Sequence, residues 1–296
     1  MTSVTRRAHA KLNVFLRVLG RRDDGYHDIQ TAILPLELHD VVTVEVADAL
    51  EVVVTGEGAE ALEAAGGESL AGRAAHAWAA AAEVAAPRAR ITIDKQIPVA
   101  AGLGGGSADA AATLLALDEL FGSGLALEEL LTAGAAVGSD VPALLVGGPV
   151  FADGRGDQVV PLHAMTTHWV VKSFPFSVRA SDAYTWWHES AASGHDAGAL
   201  LAAIEVGDDA LLGSAMFDDL QPGVAARHPE IERTVAAFGD AGALGAIMSG
   251  SGPTVVALAR HLGHADALAE AVPGSFVTTS FPPTPPRTMA RPSGVV

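Results

Sequence analysis

Pro98-Val-Ala-Ala-Gly-Leu-Gly-Gly-Gly-Ser-Ala-Asp-Ala-Ala-Ala112 is the most informative stretch of this 296-residue chain. Glycines at 102, 104, 105 and 106 remove every Cβ from a turn that leads from a strand into a helix read over Ala108–Phe121. The first N–H groups of a helix have no internal acceptor, and the macrodipole places about half a positive charge beside them. Backbone donors there hold a phosphate oxygen without basic side chains. Glycines this dense are entropically costly in a mere connection, so the segment reads as a phosphate loop. Ser107 caps the helix or offers its hydroxyl to a phosphate or to Mg²⁺. Two common loop types are excluded. No lysine follows the glycines as a Walker loop requires, and Ser107 stands where a dinucleotide fingerprint needs glycine.

Around the loop lies an acidic chain, with 18 Lys+Arg against 35 Asp+Glu and a net charge of −17. Such a field repels polyanions, which argues against nucleic acid or an anionic membrane as partner. Cysteine is absent, so disulfides, thiolate metal sites and cysteine nucleophiles are excluded. No uncharged run of bilayer-spanning length occurs, and Lys11 and Arg17 interrupt the apolar start. The expectation is a soluble cytoplasmic protein, monomeric or homodimeric, that binds small molecules. The only lysines are Lys11, Lys95 and Lys172, the only asparagine is Asn13, and the only tyrosines are Tyr26 and Tyr184. In an alanine-, glycine- and arginine-rich background, residues this rare are candidates for chemistry.

β-Branched and alternating segments predict strands at Leu12–Leu19, Val41–Val46, Leu50–Thr55 and Ala89–Asp94, and later at His168–Lys172, Thr254–Leu258 and Ser275–Ser280. Helices are read over Ser69–Val84, Leu127–Val137, Ser181–Ser190, Ala197–Ile204, Asp208–Met216 and Pro229–Phe238. Without regular βαβ alternation this mixture is α+β. Turn-rich punctuation at Gly147–Pro149 and Asp153–Asp157 places a domain boundary near residue 158, giving domains 1–158 and 159–296. The tail from Phe281 is proline-rich and expected to be extended.

Lys11 and Asn13 alternate on a strand and so share a face. An ammonium and an amide there suit a polyol hydroxyl and phosphoryl oxygens. Tyr26 and His27 follow the turn-prone Arg21-Arg-Asp-Asp-Gly25, and a loop aromatic beside an imidazole suits a nucleobase. Lys95, just before the loop, lies within reach of nucleotide phosphate or base. Ser249-Gly-Ser-Gly252 is a second glycine turn between helix and strand.

Taken together, Pro98–Ala112, Ala10-Lys-Leu-Asn-Val-Phe-Leu16, Asp24-Gly-Tyr-His27, Gly138-Ser-Asp-Val-Pro142 and Ile247-Met-Ser-Gly-Ser-Gly-Pro-Thr254 resemble the GHMP kinase superfamily, in its branch acting on a cytidylyl-methylerythritol. The likeness runs in order from about residue 8 to 258. It implies a two-domain fold, with a ribosomal-protein-S5-domain-2-like N-terminal half, a ferredoxin-like C-terminal half and the site in the cleft between them. It implies ATP- and Mg²⁺-dependent phosphorylation of the C2 hydroxyl of the cytidylyl substrate, in isoprenoid precursor synthesis. By the same resemblance Lys11 and Asp140 flank the acceptor hydroxyl, and Asn13, Tyr26, His27 and Tyr184 bind the substrate, the two tyrosines sandwiching its cytosine. ATP falls to Lys95, Pro98, Ala101, Gly102, Leu103, Gly104, Gly105, Gly106, Ser107 and Ala108, with Gly250, Ser251 and Gly252 closing over phosphates and sugar. The metal falls to Ser107. Ser69, Ala180 and Asp218 depart from the pattern, which usually has asparagine, threonine and asparagine there. Another GHMP small-molecule kinase is the near alternative, but a small polyol gives Tyr26-His27 nothing to stack on. Retention of both Lys11 and Asp140 argues against a non-catalytic nucleotide-binding regulator.

Overall fold

The computed structural model describes residues 2–60, 69–85, 87–187 and 195–282. It opens on a long hairpin of β1 (Ser3–Arg21) and β2 (His27–Val46), paired antiparallel from Ser3↔Glu45 to Arg21↔His27. The short strands read at Leu12–Leu19 and Val41–Val46 are therefore corrected to parts of two strands about 20 residues long. Register shifts at His9/Lys11, Asn13/Phe15 and Val18/Gly20 interrupt the alternation that a sequence pattern depends on. At the hairpin tip Gly25 takes φ +87°, and the Tyr26 N–H donates to Asp24 Oδ1 at 3.1 Å. Asp24-Gly-Tyr-His27 is thus a turn at the end of the two-stranded ribbon.

β3 (Glu51–Gly56) and β4 (Ala89–Lys95) lie parallel, connected through α1 (Leu70–Ala81). Ser69 caps that helix by accepting from the Gly72 N–H at 3.0 Å. The sheet order is β3-β4-β2-β1-β8, where β8 (Phe217–Asp218) runs parallel to β1. β5 (Val150–Asp153) and β6 (Gln158–Pro161) extend it from β2. A second, antiparallel sheet follows, ordered β11 (Phe276–Thr279), β7 (His168–Lys172), β10 (Val255–Ala259), β9 (Gly245–Met248). The chain passes to the second sheet between Pro161 and His168 and returns to the first at β8. Helices occupy Ala180–Trp186, Gly198–Val206, Asp209–Ala215 and Glu230–Asp240, and Val141–Val146, Gln221–Ala225 and Leu262–Ala271 are helices where none was read. The predicted continuation from 188 to 190 and the proline-rich tail beyond 282 lie outside the described residues.

Period-two alternation explains how the halves join. From β7 and β10, Trp169, Val171, Val256 and Leu258 point to one face and pack with Leu12, Leu34, Leu36 and Leu103 of the first half. Val170, Val255 and Ala257 point the other way, toward Phe238 and Leu268 of the helices behind. Buried on both faces, Val255–Ala259 is an unbroken apolar run, as expected for a central strand. A third core sits between the first sheet and α1, with Val42, Val44, Ile91 and Ile93 meeting Ala74, Ala75 and Trp78.

Where β4 ends and the glycine loop begins, three charges are buried together. Lys95 Nζ donates to Asp40 Oδ2 at 2.5 Å and to Asp109 Oδ2 at 2.7 Å. Asp40, fully buried, also accepts from the N–H groups of Gln96 and Ile97 at 2.6 and 2.8 Å. Burial pulls the Lys95 ammonium toward its neutral form, but Asp109 and Asp40 outweigh it and raise its pKa. Burial likewise pushes the Asp109 carboxyl up to about 7, against the pull of Lys95. This triad locks the strand end to the helix that follows the loop. Removing one partner of a buried ion pair costs about 3–5 kcal/mol because the others lose their compensation. Asp40→Ala is therefore expected to lower unfolding free energy in urea by about 3 kcal/mol or more; a loss under 1 kcal/mol would contradict the triad's role.

Candidate active site

The helix after the glycines, α2 (Gly105–Phe121), begins three residues earlier than the sequence pattern placed it. Gly104 is its N-cap, in the left-handed region at φ +72°, and the Ala108 N–H closes the first turn on the Gly104 carbonyl at 2.9 Å. The glycine run hid this start, since glycine is a poor helix former in isolation. Gly105 and Gly106 are instead the first turn itself, and their N–H groups with that of Ser107 face outward as donors without intrahelical partners. Ser107 occupies the third helical position, so the capping role considered for it is ruled out, and its hydroxyl lies beside Gly138.

Beneath these donors opens a cavity of about 740 Å³. One wall is polar, formed by the loop from Pro98 to Ser107 with Lys95 and Asp109. The other is apolar, formed by Leu50, Val52, Val54, Leu70 and Ile93. A phosphate-binding rim over an apolar pocket is the shape and chemistry of a mononucleotide site. Pro98, Ala101, Gly102, Leu103, Gly104, Gly105, Gly106 and Ser107 all line it, while Ala108 is buried behind the loop. Lys95 reaches the floor, but its ammonium is engaged by Asp40 and Asp109, so it supports the loop rather than offering a free charge. Ser69 lines the cavity with its hydroxyl oxygen accepting the α1 cap bond.

Lys11 packs against the loop at Gly104. Its backbone N–H donates to the Leu103 carbonyl at 2.9 Å, and its side-chain methylenes lie where a Cβ on Gly104 would be, 2.8 Å from Cγ. The ammonium donates to Asn13 Oδ1 at 2.6 Å and sits 3.5 Å from Asp140 Oδ2. Asn13 is fixed in turn: its Nδ2 donates to Thr31 Oγ1 at 2.8 Å, and its N–H to Ser249 Oγ at 2.9 Å. Asp140 stands at the N-terminus of the short helix Val141–Val146, yet its carboxylate makes no capping bond. It is left free to face Lys11. Lys11 is 5 % exposed, whereas the Asp140 side chain is 37 % exposed, so the carboxylate is the group open to an acceptor.

The second glycine turn joins β9 to β10, two strands rather than the helix and strand read from the sequence, and it folds onto the first. Thr254 Oγ1 donates to the Ala101 carbonyl at 2.5 Å, and the Gly252 carbonyl abuts Gly102, leaving no room for a side chain there. Gly250, at φ +64°, packs against Asn13, where a Cβ would meet Oδ1 at 2.7 Å. Gly250 and Gly252 therefore press on Lys11–Asn13 and on the loop, and neither they nor Ser251 line the cavity.

On the acceptor side the two tyrosines stand in different settings. Tyr26 is 55 % exposed at the hairpin tip, with the Arg155 guanidinium 5.0 Å from its ring centroid. The ring facing Tyr184 is His27, stacked at 4.8 Å and 15°, with Trp187 edge-on to His27 at 5.7 Å. The tight Asp24-Gly25 turn separates neighbouring side chains, so Tyr26 and His27 cannot both face inward. Burial, then the nearby Asp218 and Asp140 carboxyls, raise the Tyr184 hydroxyl above its ordinary pKa.

Asp40, Asp109, Thr31 and Ser249 support the site but were not singled out as such from the sequence. Asp109 lies inside the quoted loop, where a buried-face helical position carrying a carboxylate was the available signal; Asp40 and Thr31 sit on β2 with none. The close fit of Gly104 over Lys11 makes Gly104→Ala a direct test. A Cβ there strains a left-handed backbone and displaces the lysine, so kcat is expected to fall roughly 10-fold or more while the protein stays folded. An unchanged kcat would contradict the placement of Lys11 beneath the loop.

Comparison with known proteins agrees with this geometry. Residues 69–148 match the GHMP kinases N terminal domain, and residues 200–278 match GHMP kinases C terminal. The 4-diphosphocytidyl-2-C-methyl-D-erythritol kinase of Symbiobacterium thermophilum is 42% identical over 251 residues, covering 84% of this chain and 88% of that protein. The kinase of the same name from Streptomyces coelicolor is 40% identical over 266 residues, covering 87% and 88%. Among solved structures, a 4-(cytidine 5'-diphospho)-2C-methyl-D-erythritol kinase superposes with TM-score 0.78 at 31% identity, covering 94% of this chain and 99% of the other. The homoserine kinase of Cytophaga hutchinsonii, at 20% identity and TM-score 0.71 with 96% of both chains covered, shares the fold. With relatives this similar over most of its length, the chain belongs to the 4-diphosphocytidyl-2-C-methyl-D-erythritol kinases of the GHMP kinase family.

Proposed function

We propose that this chain transfers the γ-phosphoryl group of ATP to the C2 hydroxyl of 4-diphosphocytidyl-2-C-methyl-D-erythritol. The observation that carries the reading is the Lys11 ammonium 3.5 Å from Asp140 Oδ2, directly under the glycine loop. Phosphoryl transfer passes through a loose transition state, so catalysis is chiefly positioning and charge stabilisation. In this reading the N–H groups of Gly105, Gly106 and Ser107 hold the phosphate oxygens, and the apolar wall receives the adenine. Lys11, desolvated and anchored on Asn13, offsets charge developing on the transferring group. Asp140 accepts or orients the proton of the attacking hydroxyl. Among the described residues, no group of three His, Asp or Glu is placed to hold a metal. A single neutral hydroxyl, Ser107, beside phosphate-binding donors fits Mg²⁺ held mainly by phosphate oxygens and water. Bound there, Mg²⁺ would neutralise charge on the phosphates.

The cytidine end is read at His27 and Tyr184. The two rings are in van der Waals contact, so a cytosine laid on Tyr184 takes the place of His27, and binding moves the hairpin tip or the imidazole. Stacking of a base on an aromatic ring contributes about 1–3 kcal/mol. Tyr26 and Arg155 stand outside this pair, where they meet the substrate only if the tip closes.

The deciding experiment offers the purified protein ATP, Mg²⁺ and a panel of alcohols that includes the cytidylyl substrate, homoserine and mevalonate, and identifies the phosphorylated product by mass spectrometry and ³¹P NMR. Phosphorylation of the cytidylyl substrate in preference to the others is expected; preference for a small alcohol would overturn the substrate assignment. Asp140→Asn and Lys11→Met should each lower kcat by roughly 100-fold or more with ATP affinity within about 3-fold of wild type. Near-normal turnover in either variant would remove that residue from the mechanism.

A further inference from the structure

Asp218 is a carboxylic acid buried behind the site with one oxygen unused. It is 5 % exposed and lies on β8, in register with Leu16 of β1. Its neighbour Asp219 fixes this placement: the Asp219 N–H donates to the Leu16 carbonyl at 2.9 Å, and its Oδ2 accepts from the Val18 N–H at 2.8 Å. Asp218 Oδ1 accepts from the Leu220 N–H at 2.9 Å. The Gly250 N–H is also turned toward the carboxyl, but Oδ2 makes no hydrogen bond of normal geometry. A buried carboxylate oxygen without a partner is very unfavourable, whereas a protonated carboxyl in the same place costs far less.

The charged and titratable groups around Asp218 are few. Lys11 on β1 favours its charged form, and Asp219 beside it opposes that form. Tyr184 from the helix Ala180–Trp186 feels both Asp218 and Asp140. Arg17 and His195 act on Asp219. Burial dominates and holds the Asp218 carboxyl well above the usual carboxylate range, against the N–H groups of Leu220 and Gly250. On the far side of Gly250 stand Asn13 and Lys11, whose Oδ1 and Nζ would lie 2.7 and 3.6 Å from a Cβ at that position. Asp218, Gly250 and the Lys11–Asn13 pair therefore form a stack from the interior to the reaction point.

We propose that Asp218 is a positioning residue, which from its buried place behind Gly250 seats the Ser249–Gly252 turn and through it holds Asn13 and Lys11 in place for phosphoryl transfer. This rests on the kinase reading above. Neutrality matters because an ionised Asp218 would give Lys11 a second carboxylate and weaken the field it directs at the phosphoryl group. Asp140 then remains the one carboxyl in ion-pairing distance of the ammonium among the described residues.

The test compares wild type, Asp218→Asn and Asp218→Ala by kcat and KM from about pH 6 to 9.5, and by thermal unfolding from about pH 5 to 8. Asn reproduces a neutral carboxyl, with one acceptor and one donor edge, whereas Ala leaves Gly250 unseated. Ala should lower kcat roughly 10-fold or more with KM for ATP little changed, and Asn should restore most of that loss. The alkaline decline of kcat should move to higher pH in the Asn variant. The thermal readout has a definite sign. A carboxyl raised in the folded state binds its proton more tightly there than in the unfolded chain, so its contribution worsens as pH rises above the ordinary carboxylate value. The melting temperature of Asp218→Asn relative to wild type should therefore climb from pH 5 to pH 8. Loss of roughly 100-fold in kcat for the Asn variant, or kcat profiles and melting differences that do not depend on pH, would overturn the proposal. If wild type phosphorylates none of the alcohols, the kinase reading fails, while the melting series still reports whether Asp218 is neutral.

Discussion

A single buried ammonium, that of Lys11, organises the reaction point of this protein. Its methylenes lie under Gly104, its charge rests on Asn13 at 2.6 Å, and Asp140 faces it at 3.5 Å from the more open side. A cation removed from water keeps its charge only where acceptors surround it, and here the acceptors are also the parts of the site. Leu103 on the first loop, which accepts from the Lys11 backbone N–H, Asn13 two residues along β1, Asp140 at a helix start and Gly250 on the second loop all converge on Lys11. Moving any one of them misplaces the others. In a chain of net charge −17, an isolated desolvated lysine also concentrates positive potential at one point.

Much of the fold was legible because the second half obeys period two and the helices carry ordinary stop signals. His168–Lys172 coincides with its predicted strand, Val255–Ala259 is offset by one residue from the predicted Thr254–Leu258, and α1 starts at the Ser69 cap. The long hairpin was hidden by its register shifts, which turn one strand's side chains partway along and break the alternation. Helix α2 was placed late for a related reason. Its first turn consists of glycines chosen for donor geometry, against helix propensity, and tertiary support from Ile97 and Lys95 beneath Gly105 makes it helical. Leu262–Ala271 was passed over because its apolar positions are mostly alanine, which gives a weak stripe.

The reacting residues were legible where chemistry forces a rare residue into a motif, as with Lys11, Asn13 and the glycines of 102–106. Partnerships were not, because they are set by packing between distant segments. Lys95 carries the clearest example: its position before the loop is consistent with nucleotide contact, yet its ammonium belongs to Asp40 and Asp109, 55 and 14 residues away in sequence. That His27 stacks on Tyr184 while Tyr26 stands exposed beside Arg155 is likewise set by how the hairpin tip meets the helix Ala180–Trp186. Asp218 could be read from sequence only as a departure, and its meaning comes from an oxygen with no partner.

The central claim is that the γ-phosphoryl group sits between the glycine loop, Lys11 and the acceptor hydroxyl beside Asp140. A crystal structure with a non-hydrolysable ATP analogue and the cytidylyl substrate tests it most directly. The account predicts phosphate oxygens on the N–H groups of Gly105, Gly106 and Ser107, with Lys11 Nζ in hydrogen-bonding reach of the terminal phosphate and Asp140 in reach of the C2 hydroxyl. Phosphates bound away from these donors, or Lys11 still turned only to Asn13 with the terminal phosphate elsewhere, would contradict it.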